Sequence, residues 1–151
     1  MKIAVVTGAS SGIGRELLLA IDKEYDYDEI WAIARRADRL EELGKQCRNP
    51  LRPVCLDLND TDSIDKYQQL LAQAQPEIAM LINAAGCGVF GPFEEQDLKA
   101  QLASAQLNSL ALTAMCHVSL PYMKSGDHII NMGSNSSWQP VPYQAVYGAS
   151  K

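Results

Sequence analysis

Short apolar runs alternate along the chain with longer stretches in which apolar residues return every three or four positions. Five runs have strand length: Ile3–Val6, Glu29–Ala34, Val54–Leu58, Ile78–Ile82 and His128–Met132. Ile78–Ile82 is apolar throughout, as a strand covered on both faces requires. The stretches between the runs have the period of helices. Ile13, Leu17 and Ile21 share a face of the first, Leu40, Leu43 and Cys47 of the second, and Ile64, Tyr67, Leu71 and Ala74 of the third. Pro50 and Pro53 bracket a loop before the third strand, and Asn59–Asp62 supplies capping residues after it. A long helical pattern from about 94 to 123 turns Leu107, Ala111, Ala114, Met115 and Val118 inward, and Pro121 should kink it or mark its last turn. From about Tyr143 a final helix begins.

Strand and helix alternating five times, with no repeat and no low-complexity linker, predict an α/β doubly wound parallel sheet of Rossmann-like type, in the order 3-2-1-4-5. The ligand crevice is expected at the carboxyl ends of the strands, between the first and fourth, where the winding reverses. At the first strand-to-helix turn stands Thr7-Gly8-Ala9-Ser10-Ser11-Gly12-Ile13-Gly14. Gly8 suits a tight turn, Gly12 lets a pyrophosphate approach the backbone, and Gly14 lets the helix pack closely on the strand. Helix N-terminal amides then face the phosphates. A purely structural turn is the competing reading, but the strand–turn–helix context favours dinucleotide binding.

The remaining composition narrows the field. A chain of 151 residues fits one domain, here 1–151. A net charge of −5 argues against a nucleic-acid surface. No apolar run could span a bilayer, and Met1-Lys2 leads into the first strand without a signal-peptide layout, so a cytoplasmic location is expected. Cys47, Cys55, Cys87 and Cys116 are scattered and read as reduced thiols rather than a disulfide or zinc site. Cys87 reads as a small filler and His117 and His128 belong to no constellation, so no metal is expected.

Tyr147-Gly148-Ala149-Ser150-Lys151 is the second chemical signal. Four residues apart, Tyr147 and Lys151 share a helix face, and a neighbouring ammonium favours the phenolate. Ser134 lies just past the fifth strand, on the expected crevice. Together with the Thr-Gly-x-x-x-Gly-x-Gly turn, these residues resemble the short-chain dehydrogenase/reductase family.

The resemblance implies an oxidoreductase that moves hydride between NADP(H) and a small alcohol or carbonyl substrate. Tyr147 would be the general acid/base, Lys151 would tune it and bond the nicotinamide ribose, and Ser134 would polarise the carbonyl. Asn108, amid Leu107, Leu110, Ala111 and Leu112, matches the family's fourth catalytic position, where it would hold a relay water; the alternative is a solvent-facing amide. Cofactor contacts are implied for Gly8, Ser10, Ser11, Gly12, Ile13 and Gly14, and for Asp57 and Leu58 at the third strand. Others are implied for Asn83, Ala84 and Gly86 at the fourth, with Tyr147 and Lys151. Alanine at 84 departs from the family's Asn-Asn-Ala-Gly.

Ala34-Arg35-Arg36 carries no acidic residue for a ribose 2′-hydroxyl, so NADP is expected, with Arg35 and Arg36 as cofactor contacts and Arg35 preferred. Both arginines could instead be solvated caps. The family is longer, so the chain reads as the N-terminal portion of a single-domain reductase. A non-catalytic dinucleotide-binding module or an inactive fragment is the alternative. The segments 87–91 and 138–142 are expected to line part of the substrate pocket, and the long helix near 94–123 is a possible homo-oligomer contact.

Overall fold

The computed structural model describes residues 1–151. Five parallel strands form one sheet: β1 (Lys2–Thr7), β2 (Glu29–Ala34), β3 (Leu51–Cys55), β4 (Glu77–Asn83) and β5 (His128–Asn131), in the order β3-β2-β1-β4-β5. The connections carry α1 (Gly12–Glu24), α2 (Ala37–Gly44), α3 (Asp62–Ala74), α4 (Leu98–Ala105) and α5 (Leu112–Ser119), and α6 (Ala145–Ser150) closes the chain. No helix is long and apolar enough to cross a membrane.

The central strands are apolar at consecutive positions because both faces are covered. Ala4, Val6, Ile30, Ala32 and Ile82 pack under α1 and α2 with Leu18, Ile21, Leu40 and Leu43. Ile3, Val5, Trp31, Ile33 and Leu81 pack on the other face with Tyr67 and Leu71 of α3 and Met115 of α5. This is the doubly wound arrangement the alternation predicts.

Three local expectations are corrected. β3 begins at Leu51, three residues earlier than its apolar run, and Pro53 lies inside it opposite Ala32. Because β3 is an edge strand, an imide without an N–H is tolerated there. Leu56, Asp57 and Leu58 therefore lie beyond the strand. Secondly, α1 buries Gly14, Leu18 and Ile21 rather than the Ile13, Leu17, Ile21 face; Ile13 is 63% exposed.

Thirdly, the long helix is not continuous. A 3-10 turn at Phe93–Glu95 precedes α4, Asp97 caps it by accepting from Ala100 N, and a π-helical turn, Gln106–Ala111, joins it to α5. Pro121 falls in a closing 3-10 turn, Leu120–Tyr122. Among the residues expected inward, Ala111 and Met115 are fully buried, whereas Leu107, Ala114 and Val118 are partly so.

Candidate active site

The turn after β1 is built by contacts that only glycines permit. A Cβ on Gly8 (φ 68°) would lie 2.8 Å from the backbone N of Ala85, and one on Gly14 would lie 2.5 Å from the Gly8 carbonyl oxygen. Those two positions let the loop after β4 and the helix α1 close on the turn. Gly12 differs: φ is 58°, and a Cβ there would meet nothing within 4 Å. Its missing side chain leaves room for a ligand against the backbone. Thr7, the last residue of β1, fixes the same junction by accepting from Ala84 N at 3.1 Å and Ala85 N at 3.0 Å.

Arg36, just past β2, reaches across to this turn. Its Nη2 donates to Ser10 Oγ (3.1 Å) and Ser11 Oγ (3.0 Å). The side chain so placed is Arg36 rather than Arg35, whose backbone carbonyl accepts from the Cys55 thiol. Asp57 Oδ1 accepts from Asn59 N, a tight turn that holds the carboxylate at the cavity edge beyond β3, and Leu58 is buried beside it.

The other end is formed by a 3-10 turn, Asn135–Ser137, and α6. Ser134 Oγ lies 2.7 Å from Ser136 Oγ and accepts from Ser136 N. The carbonyl of Ser136 sits where a Cβ on Gly148 would be only 2.9 Å away, so the turn and α6 are in close contact. The Tyr147 ring lies against Gly88, where a Cβ would come within 2.8 Å of its Cδ2. Lys151 Nζ lies beside Gly86, at 3.5 Å from the same test position.

Both ends open on one cavity of about 810 Å³. Gly8, Ser10 to Gly14, Arg35, Arg36, Asp57 and Leu58 line it, as do Ala84, Gly86, Ser134, Tyr147 and Lys151. Its walls are the loops that leave the carboxyl ends of all five strands. Two expected site residues stand outside it. Asn83 turns its amide to Cys116 Sγ (3.2 Å) and Asn131 Oδ1 (2.9 Å), joining β4 to β5. Asn108, 2% exposed within the π-helical turn, lies behind the wall: its Oδ1 accepts from Cys87 N, and its Nδ2 donates to Cys87 O and Ser150 Oγ.

The family model for short chain dehydrogenases matches residues 2–151. The chain belongs to the short-chain dehydrogenase family. It is 30% identical over 152 residues to an uncharacterized oxidoreductase of Staphylococcus epidermidis, covering 99% of this chain and 65% of that one. A probable NADP-dependent dehydrogenase of Haemophilus influenzae is 31% identical, covering 98% and 59% respectively. A metagenomic short-chain oxidoreductase solved in complex with NADP superposes with a TM-score of 0.89 at 28% identity, covering 99% of this chain and 70% of that one. The chain thus spans about three-fifths to two-thirds of the length of those curated relatives.

Within this short-chain dehydrogenase, sequence reasoning passed over Thr7 as a site residue. A hydroxyl that directly follows the apolar run Ile3–Val6 ends a buried strand and must have partners, and that is the signal the sequence offers. Ser104, Ser109 and Ser150 were also missed. Their hydroxyls bond Cys87 O, Ser150 O and Tyr147 O, fastening the loops around Tyr147.

Proposed function

We propose that the protein is the nucleotide-binding portion of an NADP(H)-dependent reductase acting on a small carbonyl or alcohol substrate. The observation that carries this reading is a single cavity with the glycine turn at one end and Ser134, Tyr147 and Lys151 at the other. The nucleotide fits the first end on two counts: backbone space at Gly12, and an Arg36 guanidinium gathered with two serine hydroxyls where a 2′-phosphate could accept from all three. Directly after β2 stand Arg35 and Arg36, where an acidic side chain would favour a free 2′-hydroxyl. The Haemophilus relative described as NADP-dependent and the NADP-bound structural neighbour support the same choice.

When bound, the nicotinamide supplies or accepts the hydride. The chain's own residues position and protonate. Ser134 Oγ accepts from Ser136 N and shares a hydrogen bond with Ser136 Oγ, and its hydroxyl would donate to the substrate oxygen and polarise the carbonyl. Tyr147 gives a proton to that oxygen, or takes it in the reverse direction. Lys151, whose Nζ lies beside Gly86 on the same cavity, would bond the nicotinamide ribose. Arg35, Asp57, Leu58 and Ala84 contribute to the nucleotide wall.

The full-length protein, mixed with a panel of aldehydes and ketones, should consume NADPH faster than NADH. Replacing Arg36 with Ala should weaken NADPH binding roughly tenfold while leaving NADH unchanged, the scale expected for a charge-assisted pair. Absence of turnover across the panel, or an equal effect of the Arg36 change on both nucleotides, would contradict the reading.

A further inference from the structure

We infer that Ser150 is a positioning residue, whose hydroxyl is the joint through which Asn108 holds the helix carrying Tyr147 and Lys151. The inference rests on the acid–base reading of Tyr147 given above. α6 is tied to the π-helical turn Gln106–Ala111 at Ser150. The hydroxyl donates to the Tyr147 carbonyl at 3.0 Å and accepts from Asn108 Nδ2 at 2.9 Å. The Ser150 carbonyl accepts from Ser109 Oγ at 3.0 Å.

Asn108 is committed on its other side. Its oxygen accepts from Cys87 N at 2.9 Å, and Nδ2 donates to Cys87 O at 2.8 Å, so it pairs with both backbone groups of that residue. One amide proton serves Cys87 and the second serves Ser150, with Ser104 Oγ a longer contact at 3.3 Å. The joint therefore unites two pieces that must agree. One is the loop of Gly86 and Gly88, against which Lys151 Nζ and the Tyr147 ring rest. The other is the helix that bears both side chains. Without the hydroxyl, Asn108 keeps the loop but loses its own bond to the helix, leaving the Ser109 bond to the Ser150 carbonyl, and the phenol is seated less firmly in the cavity. The glycine turn and Arg36 make none of these contacts, so the preference for NADPH over NADH set at that end should be spared.

In the full-length enzyme, Ser150→Ala should lower kcat about tenfold, a modest misplacement effect, with the preference for NADPH over NADH unchanged. Ser150→Thr, which keeps a hydroxyl, should recover most of that loss. A wild-type kcat in Ser150→Ala, a lost preference for NADPH over NADH, or no recovery with Thr would each overturn the inference. If the wild-type enzyme turns over nothing, the acid–base reading fails instead. Amide exchange in α6 then tests the joint alone: faster exchange at Gly148 in Ser150→Ala, with Cys87 unchanged, upholds it, and unchanged exchange at Gly148 overturns it.

Discussion

Gly12 and Gly14 stand two residues apart in one motif, yet they should fail differently. Alanine at Gly14 meets the Gly8 carbonyl oxygen, a backbone atom that cannot give way cheaply, so the turn itself must shift. A loss of roughly 2–3 kcal/mol of stability is expected, within the range for overpacking. Alanine at Gly12 meets nothing and costs only its left-handed backbone, about 1 kcal/mol. It should nevertheless weaken nucleotide binding, because the methyl enters the ligand's space. Urea unfolding and NADPH titration of the two variants separate the cases. Asp22 makes a second residue-level test. Burial alone would raise its carboxyl, but hydrogen bonds from Arg48 N, Asn49 N and Asn49 Nδ2, with the Arg48 charge, outweigh that and hold it below its ordinary value. A depressed folded value means stability that is whole above about pH 4 and fades as pH falls through it. Asp22→Asn should therefore cost roughly 1–2 kcal/mol at pH 7, and the gap should narrow toward pH 3 in unfolding measurements.

At the scale of elements, Gly88 governs how the loop after β4 meets α6. A Cβ there would strike the Tyr147 ring, so Gly88→Ala should depress kcat more than it alters the NADPH Kd, as steady-state kinetics beside nucleotide titration would reveal. The order of strands and the two covered faces were legible from apolar runs, since burial on both sides leaves a continuous signature at β1, β2 and β4. The ends of elements were less so. Pro53 looked like a loop residue because proline usually leaves sheets, and only the edge position of β3 admits it. Ile13 looked like a core residue by its spacing, whereas the close seat of Gly14 on Gly8 rotates α1 and leaves Ile13 at the cavity. The π-helical turn was invisible for a different reason. It lies at Asn108, which pairs with Cys87 across the chain, a tertiary contact that local periodicity does not encode.

Across the molecule, the loops from all five strands converge at the carboxyl edge of the sheet, and that convergence makes one cavity of residues distant in sequence. The glycine turn and the Tyr–Lys helix lie more than a hundred residues apart, yet each was readable alone as a local motif. Their meeting follows from the reversal of winding between β1 and β4, which leaves the crevice open where neither α1 nor α4 crosses it. The central claim is that Tyr147 works at the nicotinamide end of the cavity that binds the nucleotide at Gly12. It is tested most directly by Tyr147→Phe in the full-length protein, measuring NADPH affinity and NADPH-dependent carbonyl reduction on the same sample. The account expects an unchanged Kd with reduction lowered by roughly a thousandfold, the scale of a lost general acid. A Phe variant that binds NADPH and reduces carbonyls at the wild-type rate would contradict it.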